Sequence, residues 1–109
     1  MRKELEDVWV EIDGVVAVGL TKSFVEDSGD ITFIDFKKGV GDEVENGDVI
    51  ATLETVKSVV ELKSPLKGKI VELNEGLKDN PDPLNEDPDG TWVVKIEPAE
   101  GEIERLKEG

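Results

Sequence analysis

Apolar positions along this chain fall in short runs about ten residues apart, separated by turns rich in Gly, Asp and Asn. Val8 to Ile12 has the length and β-branched content of a strand, and Asp13-Gly14 marks a hairpin turn into a return strand from Val15 to Leu20. Thr21 is placed to cap a short helix running through Glu26, which Gly29 would stop. Asp30 to Phe36 alternates, with Ile31, Phe33 and Asp35 predicted on one face and Thr32, Ile34 and Phe36 on the other. Turn signals at 38–42 and 46–48 bracket a minimal strand, Glu43-Val44. Further strands are predicted from Lys69 to Asn74 and from Trp92 to Ile96. The prolines, Asn and Asp of 75–88 predict a loop with one helical turn. Ile103 and Leu106 share one face of a short terminal helix. Short strands at this spacing predict a mostly β sandwich or flattened barrel.

The most informative pattern is a pair of apolar runs, Val49 to Leu53 and Val59 to Lys63, on either side of Lys57. Folded back with Val56-Lys57 at the turn, they set Leu53 against Val60 and Ala51 against Leu62 on one apolar face. Ile50, Thr52 and Glu54 then oppose Lys63, Glu61 and Val59 on a wetter one. A slip of one residue would bring polar side chains to the apolar face, so burial itself enforces this register. The predicted hairpin carries a lone lysine at its tip. Its turn is Val-Lys, not the Asn-Gly or Asp-Gly that tight hairpins favour. A lysine in a turn is ordinarily just a solvated surface residue.

Composition narrows the chemistry. One hundred and nine residues make one domain, predicted to span 1–109. The chain has no Cys and no His, which excludes disulfides, thiolate catalysis and imidazole acid–base work. No nucleophile–base pair or metal cluster is visible, so the chain does not read as an enzyme. A net charge of −14, from 27 acidic and 13 basic residues, argues against nucleic acid and anionic membranes as partners. It favours docking on basic protein surfaces. The sequence contains no membrane-spanning run and no signal peptide before the first strand, so a cytoplasmic location is expected.

Glu54-Thr55-Val56-Lys57-Ser58 resembles a lipoyl-attachment motif, specifically the Glu-Ser-Val-Lys-Ala form of glycine cleavage system H proteins. The resemblance extends along nearly the whole chain. Val18-Gly19-Leu20-Thr21 with Gly29-Asp30-Ile31, Val40-Gly41-Asp42-Glu43-Val44, Ser64 to Asn74, Asn85-Glu86-Asp87-Pro88 and Gly90-Thr91-Trp92 match that family's motifs in order. Such a family membership implies a barrel-sandwich hybrid (lipoyl-domain-like) with a C-terminal helix, and a non-catalytic carrier bearing lipoate covalently on Lys57. Glu54, Val56 and Ser58 would be read by the lipoate-attaching enzyme. Glycine decarboxylase, aminomethyltransferase and lipoamide dehydrogenase would be the further partners. Biotin carriers flank the lysine with methionines; Val56 and Ser58 stand here instead, which favours lipoate.

The clearest departure lies near the start, where Asp7-Val8-Trp9 replaces the family's His-Glu-Trp. By the resemblance, that glutamate helps hold the loaded arm, and a valine cannot accept a hydrogen bond. Glu61 stands where the family has a second acid of the arm pocket, and Glu6 or Glu11 are candidate substitutes for the first. Lys63 also takes a position where an uncharged residue is usual. The expected function is a carrier of an aminomethyl group and reducing equivalents. The alternative is an H-like lipoate-binding protein of another pathway, lipoyl relay or sulfur oxidation, and a non-modified interaction domain is a third reading.

Overall fold

The structure is a computed structural model, and it describes residues 1–108. Among these described residues nine strands form two sheets. Strands β1 (Arg2–Leu5), β2 (Val8–Asp13), β3 (Val15–Leu20), β5 (Glu43–Val44), β8 (Gly68–Leu73) and β9 (Trp92–Pro98) make the larger one, in the order β1-β2-β3-β9-β8-β5. Strands β4 (Ile31–Phe36), β6 (Val49–Thr55) and β7 (Val59–Lys63) make the smaller one, in the order β4-β6-β7. All pairings are antiparallel. One core joins them: Val10, Val18, Ile70 and Ile96 of the larger sheet and Ile34, Leu53 and Leu62 of the smaller belong to a single buried cluster. This is the mostly β, two-sheet architecture that the strand spacing predicts.

Short helices close the edges. Helix α1 (Lys22–Ser28) begins at Thr21, whose hydroxyl accepts the Phe24 N–H, and ends at Gly29 with φ of 83°. Helix α4 (Glu102–Glu108) buries Leu106. It is pinned at its first turn, where Glu102 accepts the Lys67 N–H and Arg105 reaches the Pro65 carbonyl at 2.7 Å. Between β8 and β9 lie two short helices, α2 (Gly76–Asp79) and α3 (Asp82–Glu86), and a 3-10 turn, Pro88–Gly90. This segment is more ordered than the predicted loop, because Leu77 and Leu84 are buried in the core.

The Trp9 corner ties the chain's start to this segment. The indole is buried, donates to the Pro88 carbonyl at 2.9 Å and lies under the Arg2 guanidinium. Gly19 pairs with Trp9 across β2–β3, and a side chain there would overlap the indole. Asn85 works differently. Its amide accepts from the Ile31 N–H at 2.8 Å and donates to the Ile31 carbonyl at 2.9 Å, satisfying the start of β4 as a neighbouring strand would.

Two predicted details change. Ile50 is buried rather than on the wetter face, because a bulge between Val49 and Ala51 shifts the register there. Val49, not Ile50, opposes Lys63. Phe33 is 46% exposed rather than sharing Ile31's buried face. A bulge between Ile31 and Phe33 resets the alternation, so that Ile31 and Ile34 both point inward. Strand β1 has no counterpart in the predicted elements. It is a short, charged edge strand, and edges of that kind lack an apolar signature.

Candidate functional site

The β6–β7 hairpin has the register that burial demands: Ala51↔Leu62, Thr52↔Glu61, Leu53↔Val60 and Glu54↔Val59. Leu53 and Leu62 are almost wholly buried beneath it. Lys57 sits at the tip, exposed, with its ammonium folded back 3.3 Å from the Asp27 carbonyl. Among the described residues none but glycine has positive φ, so the turn is not one of the mirror-image types that two-residue hairpins favour.

Thr55 explains how Val-Lys can still turn. Its N–H donates to the Ser58 carbonyl at 2.8 Å, and its hydroxyl donates to the same carbonyl at 3.1 Å. That hydroxyl also accepts the N–H groups of Lys57 and Ser58, at 3.2 and 3.1 Å. A side-chain oxygen thus replaces backbone partners across the loop, a local bond that Ser and Thr readily make. Thr55, which holds the turn, is not among the residues Glu54, Val56 and Ser58 expected from the motif. The signal available for it was a hydroxyl residue at the start of a glycine-free turn.

The tip also leans on α1. Val56 donates its N–H to the Asp30 carbonyl at 3.1 Å. Its methyl packs over Gly29, where a Cβ would come within 2.7 Å of it. Gly29 therefore serves both the left-handed helix end and the close approach of the hairpin. Val56 nevertheless remains 68% exposed and Val59 63%. Glu54 and Ser58 are exposed beside them.

A groove of about 860 Å³ runs along β7, one of the two edge strands of the smaller sheet. Val59, Glu61 and Lys63 line one side, and Glu6, Val8 and Phe24 the other. Backbone and side-chain bonds from Thr21 to the Asp7 carbonyl, at 3.1 and 3.4 Å, fix the β1–β2 turn that carries Glu6 and Val8. Glu61 and Val8 therefore face one cavity although 53 positions separate them. Glu6 borders it as well. Glu11 does not: it pairs with the N-terminal amine at 2.9 Å and with Arg2 at 3.5 Å. The hydrogen bond from that amine, reinforced by Arg2, holds its carboxyl below the usual range. Of the candidate substitute acids, only Glu6 has the position. Among the described residues no group of Asp and Glu is arranged to hold a metal ion, and no helix is long and apolar enough to cross a membrane.

Comparison with known proteins agrees with this geometry. The sequence profile described as Glycine cleavage H-protein matches residues 1–108. A probable glycine cleavage system H protein of Pyrococcus horikoshii is 42% identical over 102 residues, covering 92% of this chain and 75% of that protein. The glycine cleavage system H protein of Thermotoga maritima is 45% identical over 101 residues, covering 90% and 81%. The crystal structure of a glycine cleavage system H protein from Mycobacterium marinum superposes with a TM-score of 0.81 at 32% identity, over 90% of this chain and 83% of that one. The fold is the expected lipoyl-domain-like barrel-sandwich hybrid. The chain belongs to the glycine cleavage H-protein family, the lipoyl-carrying and non-catalytic component of the glycine cleavage system.

Proposed function

We propose that Lys57 is the lipoyl attachment site and that the groove along β7 receives the arm. The observation carrying this reading is the placement of Lys57: a solvent-facing amine on a turn held by Thr55 and Val56, at the end of a groove-lining strand. Amide formation needs a neutral amine, whereas lysine amines are almost wholly protonated near neutral pH. The attaching enzyme must therefore remove one Nζ proton to free the nucleophile and accept a second as the new C–N bond forms and the leaving group of the activated acyl donor departs. This chain contributes position and the flanking groups Glu54, Val56 and Ser58.

The groove suits a flexible, mainly apolar chain. Val8, Leu20, Phe24 and Val59 supply apolar wall, and Glu61 and Glu6 supply acceptors. When bound, lipoate provides the dithiolane sulfur that carries an aminomethyl group and reducing equivalents, chemistry the cysteine-free chain lacks. Glycine decarboxylase, aminomethyltransferase and lipoamide dehydrogenase are the corresponding partners, and the cytoplasm the corresponding compartment.

A second reading has its own observation. Val8 and Lys63 make part of the groove wall apolar and part cationic, and neither favours a protonated amine. An H-like carrier of another lipoyl-dependent pathway would tolerate both. Co-expression with a lipoate ligase tests the first step: intact mass should show one adduct, which peptide mapping should place on Lys57. Lys57→Arg should abolish it. An adduct elsewhere, or two adducts, would end this reading. Loading of the lipoylated protein by a competent glycine decarboxylase would then separate the pathways, since failure to load favours the alternative.

A further inference from the structure

The outer face of the smaller sheet presents a row of side chains directly beneath the Lys57 tip. Phe33 pairs with Glu54, and Glu54 pairs with Val59. Directly opposed residues in antiparallel strands share a face. All three are exposed, so they stand side by side toward solvent, with Glu54 between two apolar groups. Strand spacing puts Phe33 and Val59 about 10 Å apart. Val56 adds a fourth exposed side chain at the turn above them.

Phe33 faces outward because of a specific irregularity. Thr32 is the extra residue of the β4 bulge, and its hydroxyl reaches the Glu54 carbonyl at 3.2 Å. Regular alternation would have turned Phe33 inward beside Ile31. The bulge instead places a large apolar ring on the surface next to the modifiable amine, although burying it would be worth about 1.5–3 kcal/mol. Bulges often re-aim a side chain beside a functional site. Elsewhere, exposed Val15 and Val40 lie in other parts of the chain, away from this row.

We infer that Phe33 and Val59, flanking Glu54, form a docking platform for the lipoate-attaching enzyme, so that recognition extends beyond the linear motif to β4. The inference rests on the Lys57 reading. Before attachment, the reacting atom is the lysine nitrogen itself, one side chain's length from the sheet. An enzyme that brings an activated acyl group to it must cover the row below. After attachment, the reacting sulfur lies at the far end of the arm, which the β7 groove with Val59 at its wall receives, so later partners need not touch Phe33 on β4. In the next row both Asp35 and Glu61 pair with Thr52; Asp35 is half-buried and already paired with Lys37 at 2.6 Å, whereas Glu61 is exposed. The fitting partner surface is therefore an apolar patch with a cationic rim, in keeping with the chain's charge of −14.

The test is steady-state lipoylation of the intact protein by a lipoate ligase with lipoate and ATP, varying the carrier. Phe33→Ser should raise KM for the carrier about tenfold, the usual cost of losing an aromatic anchor, with kcat unchanged. Phe33→Leu should restore most of the loss. Val40→Ser, which removes an even more exposed apolar group elsewhere, should behave as wild type. An unchanged KM in Phe33→Ser would overturn the platform. So would a fall in kcat alone, which would indicate a distorted tip. Slower reduction of the lipoylated Phe33→Ser protein by lipoamide dehydrogenase, with normal lipoylation, would assign the row to that enzyme and also overturn the proposal. Absence of any Lys57 adduct on the wild type would remove the Lys57 reading itself, an outcome distinct from all of these.

Discussion

The Trp9 corner and the Lys57 tip are built from opposite materials. At the corner, a large ring is buried against a glycine, bonded to the Pro88 carbonyl and covered by Arg2. Its partners lie far away in sequence. At the tip, almost everything is exposed, and apart from the Val56 bond to the Asp30 carbonyl the shape comes from Thr55 bonding residues within three positions of itself. Stability is thus concentrated where no chemistry is expected. The tip holds its form by a few exposed bonds, most of them local, and under the Lys57 reading its side chains are free to serve recognition.

Substitutions should reproduce this contrast as a descending series. Trp9→Ala should be the most damaging, lowering unfolding free energy by about 3–5 kcal/mol in chemical denaturation. If it cost no more than a surface change, the corner would not be an anchor. Asn85→Ala should come next, at about 1–3 kcal/mol, because it leaves the buried start of β4 without its partner. Since Ile31 also pairs with Thr55, faster amide exchange in this variant should reach the hairpin.

Thr55→Val keeps the shape of the side chain and removes the hydroxyl. Its cost should be about 1 kcal/mol, yet lipoylation should slow visibly, because the turn loses three contacts. Equal lipoylation rates would show that the tip's conformation does not matter to the enzyme. The smallest effect belongs to acid. Hydrogen bonds from Arg105, then from the Lys67 N–H, hold the Glu102 carboxyl below its usual value of 4.5. A carboxylate depressed in the folded state stabilises above its unfolded value, and that contribution fades as pH falls through the folded one. Melting temperature should therefore drop below about pH 4.5, and Arg105→Ala should flatten that dependence without altering the adduct.

Binary patterning alone determined the hairpin that matters most. Leu53, Leu62 and Ala51 can be buried together in only one register, so the pairing from Ala51 to Glu54 was legible and with it the position of Lys57. The helix after Thr21 was equally legible, since its cap and its stop are local. Glu54, Val56, Lys57 and Ser58 were singled out by the motif alone, and the fold by its resemblance to a known family. Tertiary structure decided the rest. Bulges at Val49–Ala51 and Ile31–Phe33 turned Ile50 in and Phe33 out. A bulge depends on how a neighbouring strand pairs, which no periodicity along one strand records. The order of 76–90 follows from Leu77 and Leu84 finding the core, and helices that short carry no readable period. That Val8, Glu6 and Glu61 line one groove while Glu11 does not is likewise a fact of packing, because residues so far apart in sequence meet only when two sheets close on one core.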